Sequence, residues 1–292
     1  MAHSHHHDGD LDNKKLFWAV FINILLTLFQ VIGGIVSGSL SLLADALHNF
    51  SDAGALAIAA IAAKIAKIPA NQKMTYGYRR AEIIGALINS TSLIIIAVYL
   101  IVESIGRYQE QTPIDGWMVV IVAGIALIID LATAFLTYSG SKNSINIKAA
   151  FIHNLSDAMA SIVVIVSGVI IIRYQVYLVD LVATALISVY VLYHAFFMIK
   201  QCIRILMQSV PKDLDVGSIQ SQITEIPNVL KAYHLHIWQL DDKKVMLEGH
   251  VVISKDNLSL IEKIRGDVKD YLKKECGISH STIEIEIGGE DQ

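Results

Sequence analysis

Residues 41–53 have the sequence SLLADALHNFSDA. Its last six residues, HNFSDA, recur with one difference as HNLSDA at the end of AAFIHNLSDA, residues 149–158. Both copies lie inside long apolar runs. In an α-helix, residues four apart lie on one face, so His48 with Asp52, and His153 with Asp157, each form a pair of side chains one turn apart. Two such helices facing each other would present two imidazoles and two carboxylates, a donor set that satisfies the tetrahedral preference of zinc. The repeat therefore predicts a metal site between two helices.

The composition predicts a membrane region followed by a soluble domain. The 292-residue chain is 54% apolar and has a mean hydropathy of +0.52, which is too apolar for an ordinary soluble protein. Residues 209–292 contain 10 basic and 15 acidic residues. This acidic balance argues against nucleic acid or anionic lipid as a partner of the tail, and it is compatible with cation binding. Cys202 and Cys276 support neither a disulfide framework nor a thiolate cluster.

Six apolar stretches are long enough to cross a bilayer, which needs about 20 helical residues. Most basic residues that flank them fall on one side, and only Arg107 and Arg173 fall on the other, so the positive-inside rule predicts two cytoplasmic termini. We expect an all-α transmembrane domain of six helices over residues 16–208. The six stretches are residues 16–37, 42–66, 81–108, 117–139, 147–174 and 177–200.

Residues 1–15 precede the first span as a polar, cytosolic arm. The arm lacks the order of a cleavable signal, because its opening is polar and rich in histidine. The short and irregular histidine run favours a native arm that collects metal weakly, with an expression tag as the alternative. The run consists of His3, His5, His6 and His7.

Residues 209–292 have the pattern of a small α+β domain. A helical segment at 215–225 precedes alternating segments at 229–240 and 244–254, an amphipathic helix at 257–275 and a last alternating segment at 282–287. This αββαβ order predicts a ferredoxin-like fold. Several histidines and glutamates share faces of these strands, which makes a second metal site plausible there. They are His234 and His236, Glu248 and His250, and His280, Glu284 and Glu286.

Three further acids lie in apolar runs, where an ionised side chain costs roughly 2.5–3.5 kcal/mol on insertion scales. Asp130 and Asp180 have no histidine at helical spacing, which favours hydrogen bonding between helices. Asp45 lies three residues before His48 and borders the same face. It is either an auxiliary ligand or gate of the metal site, or a solvated acid near a water-filled mouth.

Five separated motifs resemble the cation diffusion facilitator family, in particular its zinc-transporting branch. They appear in family order over nearly the whole chain from about residue 16. The motifs are SLLADALHNFSDA (41–53), YGYRRAEIIGA (76–86), AAFIHNLSDA (149–158), HLHIW (234–238) and HSTIEIE (280–286).

The resemblance implies a homodimeric secondary transporter that exports Zn²⁺ from the cytosol in exchange for protons, with a ferredoxin-like cytosolic domain that dimerises and binds metal. The short link between spans four and five is similar to prokaryotic members, which implies a bacterial inner membrane. Asp130 stands where span four often carries an amide. By motif position, the transport site falls on His48, Asp52, His153 and Asp157, and the cytosolic site on His236, His250 and Glu286, with His280 nearby.

Competition between metal and protons for one ligand set would couple the two fluxes. Zn²⁺ needs neutral imidazoles and ionised carboxylates, and histidine titrates near physiological pH. Two other functions use the same motif: an intramembrane zinc-dependent hydrolase and a membrane-bound metal sensor. The hydrolase is disfavoured because catalytic zinc keeps an open position beside a general acid or base, whereas four ligands here would fill the shell. We therefore expect a transporter and not an enzyme.

Overall fold

The computed structural model describes residues 24–109, 112–141, 145–241 and 244–288. The predicted N-terminal arm and the start of the first predicted span lie outside these residues. The chain divides into two compact units. One contains Met1–Ile58 and Ile88–Met198, and the other contains Ala59–Leu87 and Ile199–Gln292.

Long helices occupy the part of the chain where the six spans are predicted. Four of them contain segments long and apolar enough to cross a membrane: Ala81–Gln109, Gly116–Leu136, Phe151–Tyr174 and Leu178–Leu206. The helical membrane domain is therefore confirmed, whereas the count of six spans stays a prediction. The helices are α1 (Ile24–Ser37, in its described part), α2 (Leu40–Ala66), α3 (Ala81–Gln109), α4 (Gly116–Ser141), α5 (Ile145–Tyr174) and α6 (Leu178–Leu206).

A two-residue turn joins α1 to α2. Gly38 adopts a φ of 74°, a left-handed conformation that glycine adopts without steric cost. The Gly38 carbonyl accepts a hydrogen bond from Arg107 near the end of α3 at 2.8 Å, and the Ser37 carbonyl accepts one from the Asp115 amide before α4 at 3.0 Å. The end of α3 and the start of α4 therefore lie at the same end of the first unit as this turn.

Helices α4 and α5 approach closely through two glycines. A Cβ atom on Gly168 would lie 3.2 Å from the Gly116 carbonyl oxygen and 2.8 Å from a Val120 methyl group. A Cβ atom on Gly116 would lie 2.9 Å from the Gly168 carbonyl oxygen. The absence of side chains at this crossing lets the two backbones touch, which brings the α4 and α5 acids near each other.

The second unit contains a three-stranded sheet covered by two helices. The elements follow the predicted αββαβ order, although the second helix begins with a 3₁₀ segment at Lys255–Leu260. Ile264, Val268 and Leu272 repeat every fourth residue on the second helix and are buried in the core of the sheet. The elements are α7 (Val216–Thr224), β1 (Val229–Gln239), β2 (Val245–Ser254), α8 (Ile261–Lys274) and β3 (His280–Gly288).

The sheet has the order β1-β2-β3, with β1 antiparallel and β3 parallel to β2. Tyr233 pairs with His250 and His236 pairs with Glu248, so β1 has one extra residue between the two pairs. This bulge contains His234, whose φ is 52°. Because of the bulge, Tyr233 and His236 lie on the same face although they are three residues apart.

Candidate metal centre

The structure brings His48, Asp52, His153 and Asp157 together between α2 and α5. The Nε2 atom of His48 lies 3.7 Å from Asp52 Oδ2 and 3.6 Å from Asp157 Oδ1. The Nε2 atom of His153 lies 3.6 Å from Asp52 Oδ2 and 3.5 Å from Asp157 Oδ2. Each imidazole thus faces the carboxylate of its own helix and that of the other helix. We call these four residues the clamp.

The spacing of the clamp fits an ion better than direct hydrogen bonds. Donor atoms that surround a tetrahedral zinc ion at about 2.1 Å lie about 3.4 Å apart. The four nitrogen–oxygen distances are slightly longer than that. His48, Asp52 and Asp157 offer ligand atoms within 4.8 Å of one another. His153 contacts both carboxylates but lies outside this group of three. The four ligand atoms are therefore farthest apart between the two imidazoles.

Two carboxylate oxygens of the clamp are buried without a hydrogen-bond partner among the described residues, Asp52 Oδ2 and Asp157 Oδ1. An unsatisfied buried acceptor costs about 1–3 kcal/mol, and more when it is charged. A cation among these oxygens would offset that cost. The accessible fraction of the side chain is 48% for His153 but only 9% for Asp157, so the clamp is most open at His153.

Asp45 lies in a polar network beside the clamp and is fully buried, which excludes the solvated acid considered from the sequence. Its Oδ2 atom accepts a hydrogen bond from Gln30 Nε2 at 2.8 Å, and the side-chain Oε1 atom of Gln30 accepts one from Asn49 Nδ2 at 3.1 Å. Ser161 Oγ lies 3.5 Å from the same Asp45 oxygen. No ion pair within 4.0 Å joins Asp45 to a clamp imidazole in the described ranges.

The other two intramembrane acids contact hydroxyl groups on neighbouring helices. Ser161 Oγ lies 3.4 Å from Asp130 Oδ2, which links α4 to α5. Asp180 is fully buried and accepts hydrogen bonds at the start of α2. Both acids thus take part in interhelical hydrogen bonding, as their isolated positions in the sequence predict.

The cytosolic cluster forms on one face of the sheet. His250 Nδ1 lies 2.7 Å from Glu286 Oε1 and 3.8 Å from Glu284 Oε2. The Tyr233 hydroxyl donates a hydrogen bond to Glu286 Oε2 at 2.6 Å. That hydrogen bond, followed by the contact with His250, lowers the pKa of Glu286 below its ordinary value. His250, Glu284 and Glu286 offer three ligand atoms within 4.8 Å of one another.

The predicted cytosolic residues come together only in part. The rings of His234 and His250 are 5.3 Å apart, so His234 borders the cluster. The predicted ligand His236 is linked to it only through His234, whose Nε2 lies 3.2 Å from His236 Nε2. His280 does not reach it. His280 pairs with Met246, four residues along β2 from His250, and each strand residue advances about 3.3 Å.

Four residues near these sites lie outside the predicted sets. Glu284 lies on the predicted strand face but not among the residues that the motifs assign to the cytosolic site, and Tyr233 is brought to the site by the bulge. Gln30 and Ser161 complete the network around Asp45. Ser161 could have been found from the sequence, because it follows Asp157 by one helical turn.

Comparisons with known proteins agree with the motifs. Residues 16–207 match the family model of the cation efflux transmembrane domain, and residues 211–287 match that of the cation efflux protein cytoplasmic domain. The zinc transporter ZitB of Pectobacterium atrosepticum is 34% identical over 98% of this chain and 89% of its own length. The cadmium, cobalt and zinc/H(+)-K(+) antiporter of Bacillus velezensis is 33% identical over 98% of this chain and 92% of its own.

A solved structure, the metal-bound C-terminal domain of the CzcD transporter from Cupriavidus metallidurans, is 30% identical. The match covers 25% of this chain and 99% of the solved chain, with a TM-score of 0.24. The membrane-domain family model alone spans well over half of the sequence. This chain is therefore a multi-pass membrane protein that belongs to the cation efflux family, in its zinc-transporting branch.

Proposed function

We propose that this protein exports Zn²⁺ from the cytosol in exchange for protons, and that the clamp is its transport site. The observation that carries the proposal is the crossed arrangement of the clamp, in which each imidazole lies 3.5–3.7 Å from the carboxylates of both helices. Relatives named as zinc transporters and as a cadmium, cobalt and zinc antiporter support this choice of substrate. Cd²⁺ and other divalent transition metals are secondary substrates of the same donor set.

The chemistry of the clamp accounts for exchange. A dication is bound only when the two imidazoles are neutral and the two carboxylates are ionised, so metal and protons exclude each other. Metal that arrives from the cytosol displaces protons from the ligands, and protons from the opposite side weaken the site and release the metal. Alternating access then requires that the site between α2 and α5, the helices that carry the ligands, opens to one side of the membrane at a time.

The proposed membrane arrangement is the one that the sequence predicts. We propose six spans within residues 16–208, with residues 1–15 as a cytosolic arm and residues 209–292 as a cytosolic ferredoxin-like domain. Both termini are cytoplasmic in this arrangement, because basic residues concentrate on that side. A bacterial inner membrane and a homodimer are part of the same proposal, and the match to the cytoplasmic-domain model supports the role of the tail.

We further propose that the tail holds a metal ion at His250, Glu284 and Glu286. The donor set of one imidazole and two carboxylates suits zinc, and the three ligand atoms lie close together. The bound ion would replace the hydrogen bond between His250 and Glu286 and hold β2 to β3. His234, whose ring lies 5.3 Å from that of His250, is the nearest source of a further nitrogen, whereas His280 lies opposite Met246 and is too far along the strand to reach the ion.

Purified protein in sealed vesicles tests the transport proposal. We expect zinc uptake that is driven by a pH gradient and that disappears when the gradient is collapsed. Wild-type protein that binds zinc but moves none in either condition would contradict transport and favour a sensor. Substrate cleavage without flux would favour the hydrolase, although membership of a transporter family argues against that alternative.

A further inference from the structure

A cavity of about 1020 Å³ lies within the second unit. Residues 73–81, which lead into α3, form one part of its lining, and residues 208–210, which follow α6, form another. The rest of the lining comes from Ile84 on α3 and mostly from the sheet. Small-molecule sites in proteins have volumes of about 300–1,000 Å³, so this cavity is large enough to hold a ligand. We call it the α3 cavity.

The α3 cavity lies beside the ends of two membrane helices. Helix α3 begins at Ala81 and helix α6 ends at Leu206, and both are long and apolar enough to cross a membrane. Most of the lining residues lie just outside these two ends in the chain, so we expect the cavity at the depth of the lipid headgroups. About half of the surface of three large side chains of the lining is exposed, which offers an apolar surface to acyl chains. These are Met74, Tyr76 and Ile84.

The lining of the α3 cavity contains more cations than anions. Lys73, Arg79 and Arg80 are the cations, and Glu248 is the only acid that lines the cavity among the described residues. Asp241 pairs with Arg79 at 3.1 Å. In the described ranges no carboxylate lies within 4.0 Å of the Lys73 ammonium group or the Arg80 guanidinium group. Two of the three cations therefore have no ion pair that would compensate their charge.

The side chain of Arg80 indicates the chemistry of the ligand. Its Nε atom is buried and has no hydrogen-bond partner in the described part of the chain. A buried donor on a charged group is costly to leave unpaired. The guanidinium group carries a planar set of donors that matches the oxygens of a phosphate. A phosphate in the cavity would accept these hydrogen bonds, and Lys73 would supply a second positive charge.

The loop that carries the cations is held by its own hydrogen bonds. The side-chain oxygen of Asn71 accepts hydrogen bonds from the Lys73 and Met74 amides, each at 2.9 Å. The Gly77 amide donates to the Met74 carbonyl at 2.9 Å, and Gly77 adopts a φ of 72°, which glycine does without steric cost. The backbone between Lys73 and Arg80 is thus fixed before a ligand binds, and such preorganisation lowers the cost of binding.

We propose that the α3 cavity binds the phosphate headgroup of an acidic phospholipid, which Arg80 and Lys73 contact. Basic pockets between membrane helices bind such headgroups on the cytoplasmic side of other membrane proteins. A lipid fits better than free phosphate, because the lining has exposed apolar side chains and lies beside two membrane helices. The acidic balance of the tail does not oppose this binding, because all three cations belong to the link between α2 and α3. The lipid stays bound as a ligand, so the inference does not depend on zinc–proton exchange.

Native mass spectrometry of the full-length protein in detergent tests the proposal. The protein is titrated with phosphatidylglycerol, which is acidic, and with phosphatidylcholine, whose choline group neutralises the phosphate. We expect wild-type protein to bind phosphatidylglycerol more tightly. Arg80→Gln should weaken this binding about tenfold or more, since a hydrogen bond between charged groups contributes at least one such factor. Lys73→Gln should weaken it less, and because Lys73 is exposed, this second variant tests the site even if Arg80→Gln does not fold.

Lys67→Gln is the matched control, because Lys67 is exposed in the same link between α2 and α3 but does not line the cavity. It should bind phosphatidylglycerol as the wild-type protein does. Unchanged affinity in the cavity variants overturns the proposal. An equal loss in the control also overturns it, because the lipid would then be attracted by the charge of the whole surface and not by the cavity.

Two other occupants of the cavity give different results. If inorganic phosphate raises the Tm of lipid-free protein as much as phosphatidylglycerol does, the ligand is a free anion and not a lipid. If Arg80→Gln dissociates a dimer in the mass spectra and leaves the affinity for phosphatidylglycerol unchanged, a second copy of the chain fills the cavity. Either result overturns the proposal.

Discussion

Asp180, in the first turn of α6, accepts a hydrogen bond from the Ser39 hydroxyl at 2.6 Å and thereby holds the turn between α1 and α2. The same carboxylate accepts hydrogen bonds from the Leu40 amide at 2.8 Å, the Ser41 amide at 3.3 Å and the Ser41 hydroxyl at 2.5 Å. It thus caps the N-terminus of α2 from another helix, a place where negative charge is favourable. This contact fixes the start of the helix that carries two clamp residues.

Asp180→Ala should destabilise the membrane domain. The substitution leaves two buried backbone amides and two hydroxyls without their acceptor, and hydrogen bonds to a charged group contribute about 1.5–3 kcal/mol each. We expect the free energy of unfolding to fall by roughly 3 kcal/mol or more, with a lower Tm in detergent. Ser188→Ala on the same helix is the control, because its buried hydroxyl has no partner in the described part of the chain. Equal Tm values for the two variants would contradict the capping role.

The sequence predicted the clamp better than it predicted its surroundings. A histidine and an aspartate four residues apart must share a helix face, so each half of the clamp follows from local spacing alone. The partners of Asp180 could not be predicted, because they lie about 140 residues away in the chain. Gln30 has no spacing signal at all, since its role depends on which face of α1 meets Asp45.

His153→Ala and Asp157→Ala should each abolish zinc transport and leave the fold intact. Each variant removes one of four donors, and loss of even an outer-shell partner costs about 10–100-fold in metal affinity. We expect a larger loss here, measured as zinc uptake in vesicles and zinc binding in detergent. Ser156→Ala on the same helix is a matched control, because among the described residues the Ser156 hydroxyl donates only to the Ile152 carbonyl of its own helix, in an exposed hydrogen bond of 3.0 Å. Wild-type uptake by either clamp variant would contradict the site.

His48→Asp and His153→Asp should change which metal is preferred. Imidazole suits zinc, whereas carboxylates suit harder ions such as Mn²⁺. Each substitution keeps a ligand at its position but replaces an imidazole nitrogen donor with a carboxylate oxygen donor. We expect zinc uptake to fall relative to manganese uptake in both variants, measured side by side in the same vesicles. An unchanged ratio of the two uptake rates would show that the imidazoles do not set the preference.

The cytosolic cluster shows where strand periodicity is insufficient. The alternation of side chains predicts that His280 and Glu286 share one face of the strand. It does not predict which residues of the neighbouring strand lie opposite them. The parallel register sets His250 opposite Glu284 and His280 opposite Met246, so Glu284 joins the cluster and His280 does not. The contribution of Tyr233 depends on the bulge at His234. Register and bulges arise from pairing between distant segments, which a single sequence does not specify.

Tyr233→Phe should raise the pKa of Glu286. The Tyr233 hydroxyl donates to the Glu286 carboxylate at 2.6 Å and so favours the ionised form; this contact, with that of His250, holds the pKa of Glu286 below its ordinary value. The same hydrogen bond raises the pKa of the Tyr233 hydroxyl. A group whose pKa is lower in the folded state adds stability above its unfolded pKa, and this stability is lost as the pH falls through the folded value.

In the variant, Glu286 should therefore titrate at a higher pH than in the wild-type protein. The stability that its ionised form contributes should be lost at a higher pH as well. Carboxylate NMR of protein labelled at glutamate, followed between about pH 2 and 7, measures the shift directly. Tyr271→Phe is a matched control in the same domain: the pKa of Tyr271 is raised to about 12, first by burial and then by its contact with Cys276, and Glu286 plays no part in that shift. An unmoved Glu286 titration in Tyr233→Phe would mean that His250 alone sets its pKa. Zinc bound at His250, Glu284 and Glu286 should suppress the Glu286 titration in wild-type protein, because a bound dication competes with the proton for the same oxygen.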